Sequence, residues 1–312
     1  MFFPSFLAAA DDPLAHVLDH DFGLGPYLTM NTLTMILVAI LLVVTMRKVA
    51  QAIGTGPESE GNDRYVTKGR FAQLIEVVVI YMRDTVIRPQ LGHQANKFTP
   101  FLLTLFFFVL FCNLAGLVPL LDLQKLFGAL FAEDYKDFLF VGGTATGRLA
   151  VTGALALIAF ILWQVNGLRE SGFKGWAAHF TAGAPIFVAP LMIVVEVMGT
   201  FVKPFALALR LFANMTAGHV LLAVLTGFII KGFTTLGPLA GTPIAVVSLG
   251  ASVAIMFLEI FVAFLQAFIF MFLTTLFIAQ LSHHEHDDHA GAEAYDEEHP
   301  LEQDRAIPVS QV

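Results

Sequence analysis

The sequence has 312 residues, of which 57% are hydrophobic and only 13% are charged, and it contains 31 Phe. Soluble domains carry about 25% charged and about 45–50% apolar residues, so this composition excludes an ordinary soluble domain and indicates a membrane protein. The net charge of -8 is carried entirely by residues 282–312, and the remaining chain is formally neutral. No basic surface is left for a nucleic acid partner.

The chain begins with an apolar stretch, residues 1–10, that ends in three alanines but lacks the basic region and the length of a signal peptide. We predict that residues 1–26 form an external N-terminal segment, with cleavage left as an alternative. An apolar run needs about 20 helical residues to cross about 30 Å of hydrocarbon. The first run of this length covers residues 27–46.

The next segment, residues 68–89, mixes apolar side chains with Arg70, Glu76, Arg83, Asp84 and Arg88. Such a mixture, with basic residues at both ends, is typical of a helix that lies in the membrane interface and does not cross it. The polar linker before it, GTGPESEGNDR, predicts a solvated loop.

Four further apolar stretches follow. Residues 98–120 and 149–168 have the length of ordinary spans, and the single cysteine, Cys112, lies in the first, where we interpret it as a packing residue. Residues 186–230 and 242–281 are separated by Lys231 and the turn-rich GPLAGTP. As straight helices at about 1.5 Å per residue, each would be about 60–70 Å long, roughly twice the hydrocarbon thickness. Each must therefore break into two crossings or lie steeply tilted.

The Lys and Arg residues predict the orientation, because short positively charged connections stay in the cytoplasm. Eight basic residues lie between the first and second spans, and none precedes the first span. We therefore expect the N-terminus outside, with the interfacial helix and residues 282–312 in the cytoplasm. This acidic tail, which contains HHEHDDH, is predicted to be disordered and solvated, with weak metal binding as the alternative.

Five ionisable side chains lie within the two long apolar stretches. A charge near the bilayer centre costs at least about 2.5–3.5 kcal/mol, so each is a functional candidate by default. They are Glu196, Lys203, Arg210, His219 and Glu259. For Lys203 we favour snorkelling to the headgroups.

Arg210 lies in KPFALALRLFANMTAGH, with apolar neighbours for a turn on either side. Helical spacing places Ala206, Ala213, Asn214 and Ala217 on its face. Small residues along such a stripe allow another helix to approach closely. The pattern predicts a guanidinium presented to a partner across a narrow interface. The alternative is an arginine that snorkels or pairs with an internal carboxylate.

A second polar line follows the last long helix, where Glu259, Ala263 and Gln266 share one face. His219 lies about 180° around its helix from Arg210, so it faces away from the arginine stripe. A helical hairpin would bring His219 against Glu259, and a histidine with a carboxylate can pass protons near neutral pH. The alternative is a structural ion pair that locks two helices together.

These residues carry a resemblance to a known family. KPFALALRLFANMTAGH is similar to the signature of the a-subunit of the F-type ATP synthase, FLQAFIF to that family's last-helix motif, and FCNLAGLVP, with Asn113 and Pro119, to its first hairpin. The resemblance covers residues 68–284. It implies an all-α membrane protein of the bacterial inner membrane, with an N-terminal transmembrane helix, an interfacial amphipathic helix, a helical hairpin and two long, steeply tilted helices.

The resemblance also implies the function and the partners. Protons would reach and leave the carboxylates of a rotating ring of c subunits through two offset half-channels, next to b subunits of the peripheral stalk, with Arg210 as the essential arginine. The implied half-channel residues are Glu196, Asn214, His219, Glu259 and Gln266. Many relatives carry the acid on the arginine helix and the histidine on the last one, whereas here they are exchanged. No cofactor, no metal and no active site for ATP chemistry is implied.

One residue departs from the family pattern, since Arg148 stands in TGRLAVT where Asn is expected. Two other classes of function are alternatives to the ATP synthase a-subunit. A divalent-metal transporter suits the histidine-rich tail but needs metal-spaced ligands inside the spans, where only His219 and Glu259 are available. An intramembrane protease would need an HExxH motif or paired aspartates within the spans, and neither occurs there.

Overall fold

The computed structural model of the protein describes residues 29–53, 67, 69–118, 145–181 and 187–282, and every regular element in these ranges is a helix. Within these residues, four helical stretches are long and apolar enough to cross a membrane, and they are Met30–Ala52, Arg70–Leu117, Leu149–Phe173 and Ala189–Gln280. The predicted all-α membrane class is therefore confirmed. The predicted N-terminal segment, the polar linker and the acidic tail from residue 283 onward lie outside the described residues.

Helix α1 is Met30–Ala52. Its N-cap, Thr29, places its hydroxyl 3.4 Å from the backbone N–H of Thr32, which satisfies one of the free donors of the first turn. Met30, Val38 and Leu42 form part of a narrow buried stripe, while most of the helix surface is apolar and exposed. A helix that exposes so much apolar surface suits a lipid environment.

The predicted interfacial segment is helical from Arg70 to Leu91. Helix α2, Arg70–Tyr81, continues into a π-helical turn, Met82–Ile87, and then into the short helix α3, Arg88–Leu91. Pro89 lacks an N–H and cannot donate the regular helical hydrogen bond, which accounts for the widened turn before it. Asp84 pairs with Arg83 and Arg88 at 2.9 Å in each case.

Gly92 then turns the chain from this segment into the next span. Its φ of 51° lies in the left-handed region, which glycine adopts at no steric cost. A short 3-10 turn, Gly92–Gln94, leads into helix α4, Ala95–Leu117. The chain resumes at a 3-10 turn, Ala145–Gly147, and continues into helix α5, Leu149–His179, which is interrupted at Gly172.

The last element, α6, is Ala189–Ser282, and it folds back on itself at Gly237. Gly237 has φ 74° and ψ 176° and is followed by Pro238, so the helix breaks inside the GPLAGTP sequence. The two halves, called here the first arm (residues 189–236) and the second arm (residues 238–282), run antiparallel. Near the turn, a Cβ on Gly241 would lie 2.8 Å from the carbonyl oxygen of Gly232, so glycine is needed for this close approach.

The hairpin packs on α4 and α5 through one continuous apolar core. Phe106 of α4, Leu211 of the first arm and Phe270 of the second arm are all fully buried. Trp163 of α5 packs edge-on against Phe277 of the second arm, with ring centroids 4.7 Å apart. This core holds the hairpin by one side only and leaves its other side open.

Candidate functional site

Arg210 lies on the open side of the first arm. Ala206, Ala213, Asn214 and Ala217, which helical spacing assigns to the same face, are all exposed together with it. The adjoining face is buried against the core, with Leu207 and Leu211 at 1% and 0% exposure. The guanidinium is therefore presented outward, across a surface of small side chains that another helix could approach closely.

Arg210 makes no ion pair with any residue in the described ranges. The alternative interpretation, in which Arg210 pairs with an internal carboxylate, therefore finds no such carboxylate in this part of the chain. Arginine stays protonated at any working pH, so this side chain keeps its full positive charge. An uncompensated charge within an apolar helix marks a site that needs a counter-charge from elsewhere.

One turn along the first arm, Asn214 joins the two arms directly. Its Nδ2 donates a hydrogen bond of 2.9 Å to Oε1 of Gln266 on the second arm. Gln266 is only 2% exposed and lies next to the core, whereas Asn214 is exposed on the arginine face. The pair therefore links the outward face of Arg210 to the interior of the hairpin.

A second contact between the arms involves Glu259 and Gly218. A Cβ added to Gly218 would lie 1.8 Å from Oε1 of Glu259, so the carboxylate occupies the space that any other residue would need. His219, adjacent to Gly218, is half-buried at the same level of the hairpin. No hydrogen bond joins His219 to Glu259 in the described chain. The hairpin brings the two side chains to one level but leaves them unbonded.

This part of the hairpin, called here the inner cluster, consists of Asn214, Gly218, His219, Glu259 and Gln266. Several of its buried polar atoms have no hydrogen-bond partner among the described residues. They are Nε2 of His219, Oε2 of Glu259 and Nε2 of Gln266. Buried polar groups of this kind are normally satisfied, often by ordered water. The inner cluster thus presents several buried polar atoms that ordered water could satisfy.

Glu196 lies in a different place, at the opposite end of the hairpin. Its Oε1 is 3.8 Å from Nζ of Lys203, which also lies 3.4 Å from Oε1 of Gln280 on the second arm and 5.3 Å from the ring centroid of Phe277. We call Glu196, Lys203 and Gln280 the outer-end cluster. A small cavity of about 20 Å³ borders it, which is room for about one water molecule. Lys203 thus has polar partners on both arms, and its snorkelling to the headgroups stays a prediction.

Arg210 lies between the two clusters. At about 1.5 Å per residue, Glu196 is roughly 21 Å before Arg210 along the first arm, and His219 is roughly 13 Å beyond it. The sequence-predicted residues therefore form two separate groups, with the arginine between them and not in contact with either acid.

Asn113 of α4 fixes the second arm in place. Its Nδ2 lies 3.4 Å from the carbonyl oxygen of Ala263, and its Oδ1 accepts a hydrogen bond of 2.9 Å from the hydroxyl of Thr146. Asn113 and Thr146 are fully buried. Nearby, Nη1 of Arg148 donates a hydrogen bond of 2.6 Å to the hydroxyl of Thr29, so this departure from the family pattern ties the start of α5 to the start of α1.

Comparison with known proteins decides the family. Residues 28–279 match the family described as ATP synthase A chain. A protein of Myxococcus xanthus named ATP synthase subunit a is 39% identical over 267 residues, which cover 84% of this chain and 76% of that protein. The chain belongs to the ATP synthase A chain family. A family member of Chloroherpeton thalassium with the same name is 36% identical over 301 residues, or 91% of this chain and 80% of its own.

Family membership establishes the broad function. The chain is a multi-pass subunit of the membrane sector of a bacterial-type ATP synthase, and it takes part in proton transport and ATP synthesis. This decides against the metal transporter and the intramembrane protease. Within the described residues, no group of three or more His, Cys, Asp or Glu side chains could hold a metal ion.

Three features of the site were missed in the sequence. Gly218 was noted only as part of a motif, although it provides the space for Glu259. Thr146 and Gln280 were not identified at all, although they bind Asn113 and Lys203. The small residues close to Gly218 in the sequence were a signal for a close approach of another side chain. Thr146 and Gln280 gave no such signal, because the residues that they contact are distant in the sequence.

Proposed function

We propose that this chain is the stator that conducts protons past a rotating ring of c subunits, with Arg210 facing the ring. The observation that carries the proposal is the outward, unpaired guanidinium on a face of small residues. Such a charge is costly in an apolar setting unless a carboxylate approaches it. A ring whose subunits each carry one carboxylate would supply that counter-charge at every step of rotation.

The chemistry follows from the charge of Arg210. A ring carboxylate that faces lipid is best carried protonated, because an unpaired charge there is costly. Beside a fixed guanidinium, the ionised form of the carboxylate is favoured, so the proton can be released at near-neutral pH. Arginine does not lose its own proton, so it cannot relay protons between the two sides. Arg210 therefore both promotes the release of the proton from the ring carboxylate and separates the two proton paths.

The two clusters supply the two half-channels in this proposal. His219, Glu259, Gln266 and Asn214 line one path, and their unpartnered polar atoms support its hydration. Glu196, at the other end of the hairpin, lines the second path beside its small cavity. Because the clusters lie on opposite sides of Arg210, a proton can pass from one to the other only on the ring.

The orientation and the remaining partners complete the proposal. The basic residues predict that the N-terminus lies outside. In that orientation, the half-channel of the inner cluster opens to the external side of the membrane. The half-channel of Glu196, in the outer-end cluster, opens to the cytoplasm. Subunits b of the peripheral stalk would hold the chain against the torque of the ring. Family membership supports these partners.

Cysteine cross-linking tests which face meets the ring. Ala213→Cys and Ala217→Cys, each combined with Cys112→Ala, should form disulfides with cysteines placed on the carboxylate-bearing helix of the c subunit. Val44→Cys, which is exposed on α1, is the matched control and should not react. Efficient cross-linking of Val44→Cys, with none at Ala213 or Ala217, would place the ring on another face and overturn the proposal.

A further inference from the structure

A long groove lies between α4 and α5, and it is lined by none of the residues of the two polar clusters. It has a volume of about 470 Å³ and is open along one side. Its walls are almost entirely apolar and include Phe98, Ile158, Ile161 and Val165, of which the last three are exposed. The established function does not use this groove.

One end of the groove is polar and positively charged. Lys97 and Arg169 lie there, and Arg169 is exposed with no ion pair to any described residue. Lys97 donates to Oδ1 of Asn166 at 2.9 Å and lies 3.4 Å from Oε1 of Glu170. Glu170 also accepts a hydrogen bond of 2.8 Å from Gln94. Among these described side chains, two cations accompany one carboxylate, which gives this end a net positive charge.

Asn166 gives an independent indication of a ligand. It lines the groove, is only 5% exposed, and its Nδ2 is buried without a hydrogen-bond partner. A buried amide donor of this kind calls for an acceptor, because leaving it unsatisfied is unfavourable. Its place beside Lys97 suits an ester or phosphate oxygen.

The length of the apolar wall distinguishes a lipid from a small soluble anion. From Arg169 to Ile158 the groove follows α5 for about 16 Å, at about 1.5 Å per residue. This is about half of the roughly 30 Å of hydrocarbon, the depth of one leaflet. A free phosphate would use only the charged end.

We propose that this groove binds one anionic phospholipid. Its phosphate lies at Lys97 and Arg169, an ester oxygen accepts from Nδ2 of Asn166, and an acyl chain lies along Ile158, Ile161 and Val165. Basic residues at the end of a groove between membrane helices suit an anionic headgroup over a zwitterionic one.

Native mass spectrometry of the whole ATP synthase that carries this chain tests the proposal. The complex is equilibrated in mixed micelles with equal amounts of phosphatidylglycerol and phosphatidylethanolamine. The wild type should retain one more phosphatidylglycerol than the Lys97→Gln/Arg169→Gln double variant. The preference for phosphatidylglycerol at this site should fall by about tenfold in that variant, since each cation contributes to anionic lipid binding.

The matched control removes two exposed positive charges elsewhere, in Arg47→Gln/Lys48→Gln, and should retain the lipid as the wild type does. A wall variant, Ile161→Trp, fills the groove and should lose the lipid with both cations intact. Equal lipid retention in the wild type, the double variant and the wall variant would overturn the proposal. So would a photoreactive side chain at Ile161 that captures a protein subunit instead of a lipid.

Discussion

The inner cluster and the outer-end cluster of the hairpin differ in how their polar groups are satisfied. In the outer-end cluster, Glu196 has Lys203 as a counter-charge at 3.8 Å, and Lys203 also reaches Gln280. In the inner cluster, Glu259 and His219 lie at one level without a hydrogen bond between them, and each has a buried polar atom with no partner in the part of the chain that the structure describes. The same pair of arms therefore holds one paired and one unpaired group of ionisable residues.

The two clusters therefore differ in how far they depend on water. A buried polar atom without a partner costs about 1–3 kcal/mol, so the inner cluster is favourable only if solvent reaches it. The outer-end cluster has its own counter-charge and is partly exposed. Changes in the inner cluster should therefore have larger effects on proton transport than changes in the outer-end cluster.

The largest of these effects is expected at Gly218. In Gly218→Ala, the new Cβ would lie 1.8 Å from Oε1 of Glu259, so the carboxylate must move. Overpacking of about 1–3 kcal/mol, if it raises the transport barrier by that amount, lowers the rate by roughly fivefold to 150-fold. Proton-driven ATP synthesis in reconstituted vesicles measures this loss.

The matched control is Gly250→Ala, on the second arm, where an added Cβ meets nothing within 4 Å. It should keep normal synthesis, since alanine is also the better helix former. If both alanine variants behave alike, the contact between Gly218 and Glu259 has no role in transport.

An intermediate effect is expected for the exchange of acid and base in the inner cluster. His219→Glu leaves two acids at one level and Glu259→His leaves two imidazoles, whereas the double exchange restores one of each. We expect the double variant to retain several-fold more coupled proton transport than either single variant, because residues that act together are not additive. Transport no better in the double variant than in the singles contradicts the pairing.

The smallest effect is expected in the outer-end cluster. Glu196 and Lys203 are partly exposed, with side-chain exposures of 25% and 34%. Ion pairs in such settings are worth about 0–1 kcal/mol, so a double-mutant cycle of Glu196→Gln and Lys203→Gln should give a coupling factor below about fivefold. The cycle is measured on ATP synthesis rates. A coupling as large as the loss at Gly218 would remove the distinction between the two clusters.

The fold and the arginine face were largely accessible from the sequence, because both depend on local periodicity. The composition and the long apolar runs predict an all-helical membrane protein, and Gly237 and Pro238 mark the turn between the arms. The exposed stripe of Ala206, Arg210 and Ala213 follows from helical spacing alone.

The contacts between elements could not be predicted, because a single sequence does not show how distant helices align with one another. Asn113 lies 150 residues from Ala263, whose carbonyl it contacts, and Lys203 lies 77 residues from Gln280. The position of Glu259 over Gly218 depends on how the arms align after the turn at Gly237. A shift of one helical turn would have brought different side chains together.

The central claim concerns Arg210, and two substitutions test it most directly. Arg210→Ala removes the charge, while Arg210→Lys keeps a charge but loses the planar fork and can lose its proton when buried. Arg47→Ala, an exposed arginine on α1, is the control for loss of a positive charge. Assembly of the complex is checked first, so that a folding defect is not mistaken for a transport defect.

The deciding measurement is proton-driven ATP synthesis, together with passive proton leak, in vesicles that contain the reconstituted complex. We predict that Arg210→Ala and Arg210→Lys both assemble and both abolish synthesis, that Arg210→Ala also leaks protons because the two paths are no longer separated, and that Arg47→Ala is normal. Near-normal coupled synthesis by Arg210→Ala would contradict the account.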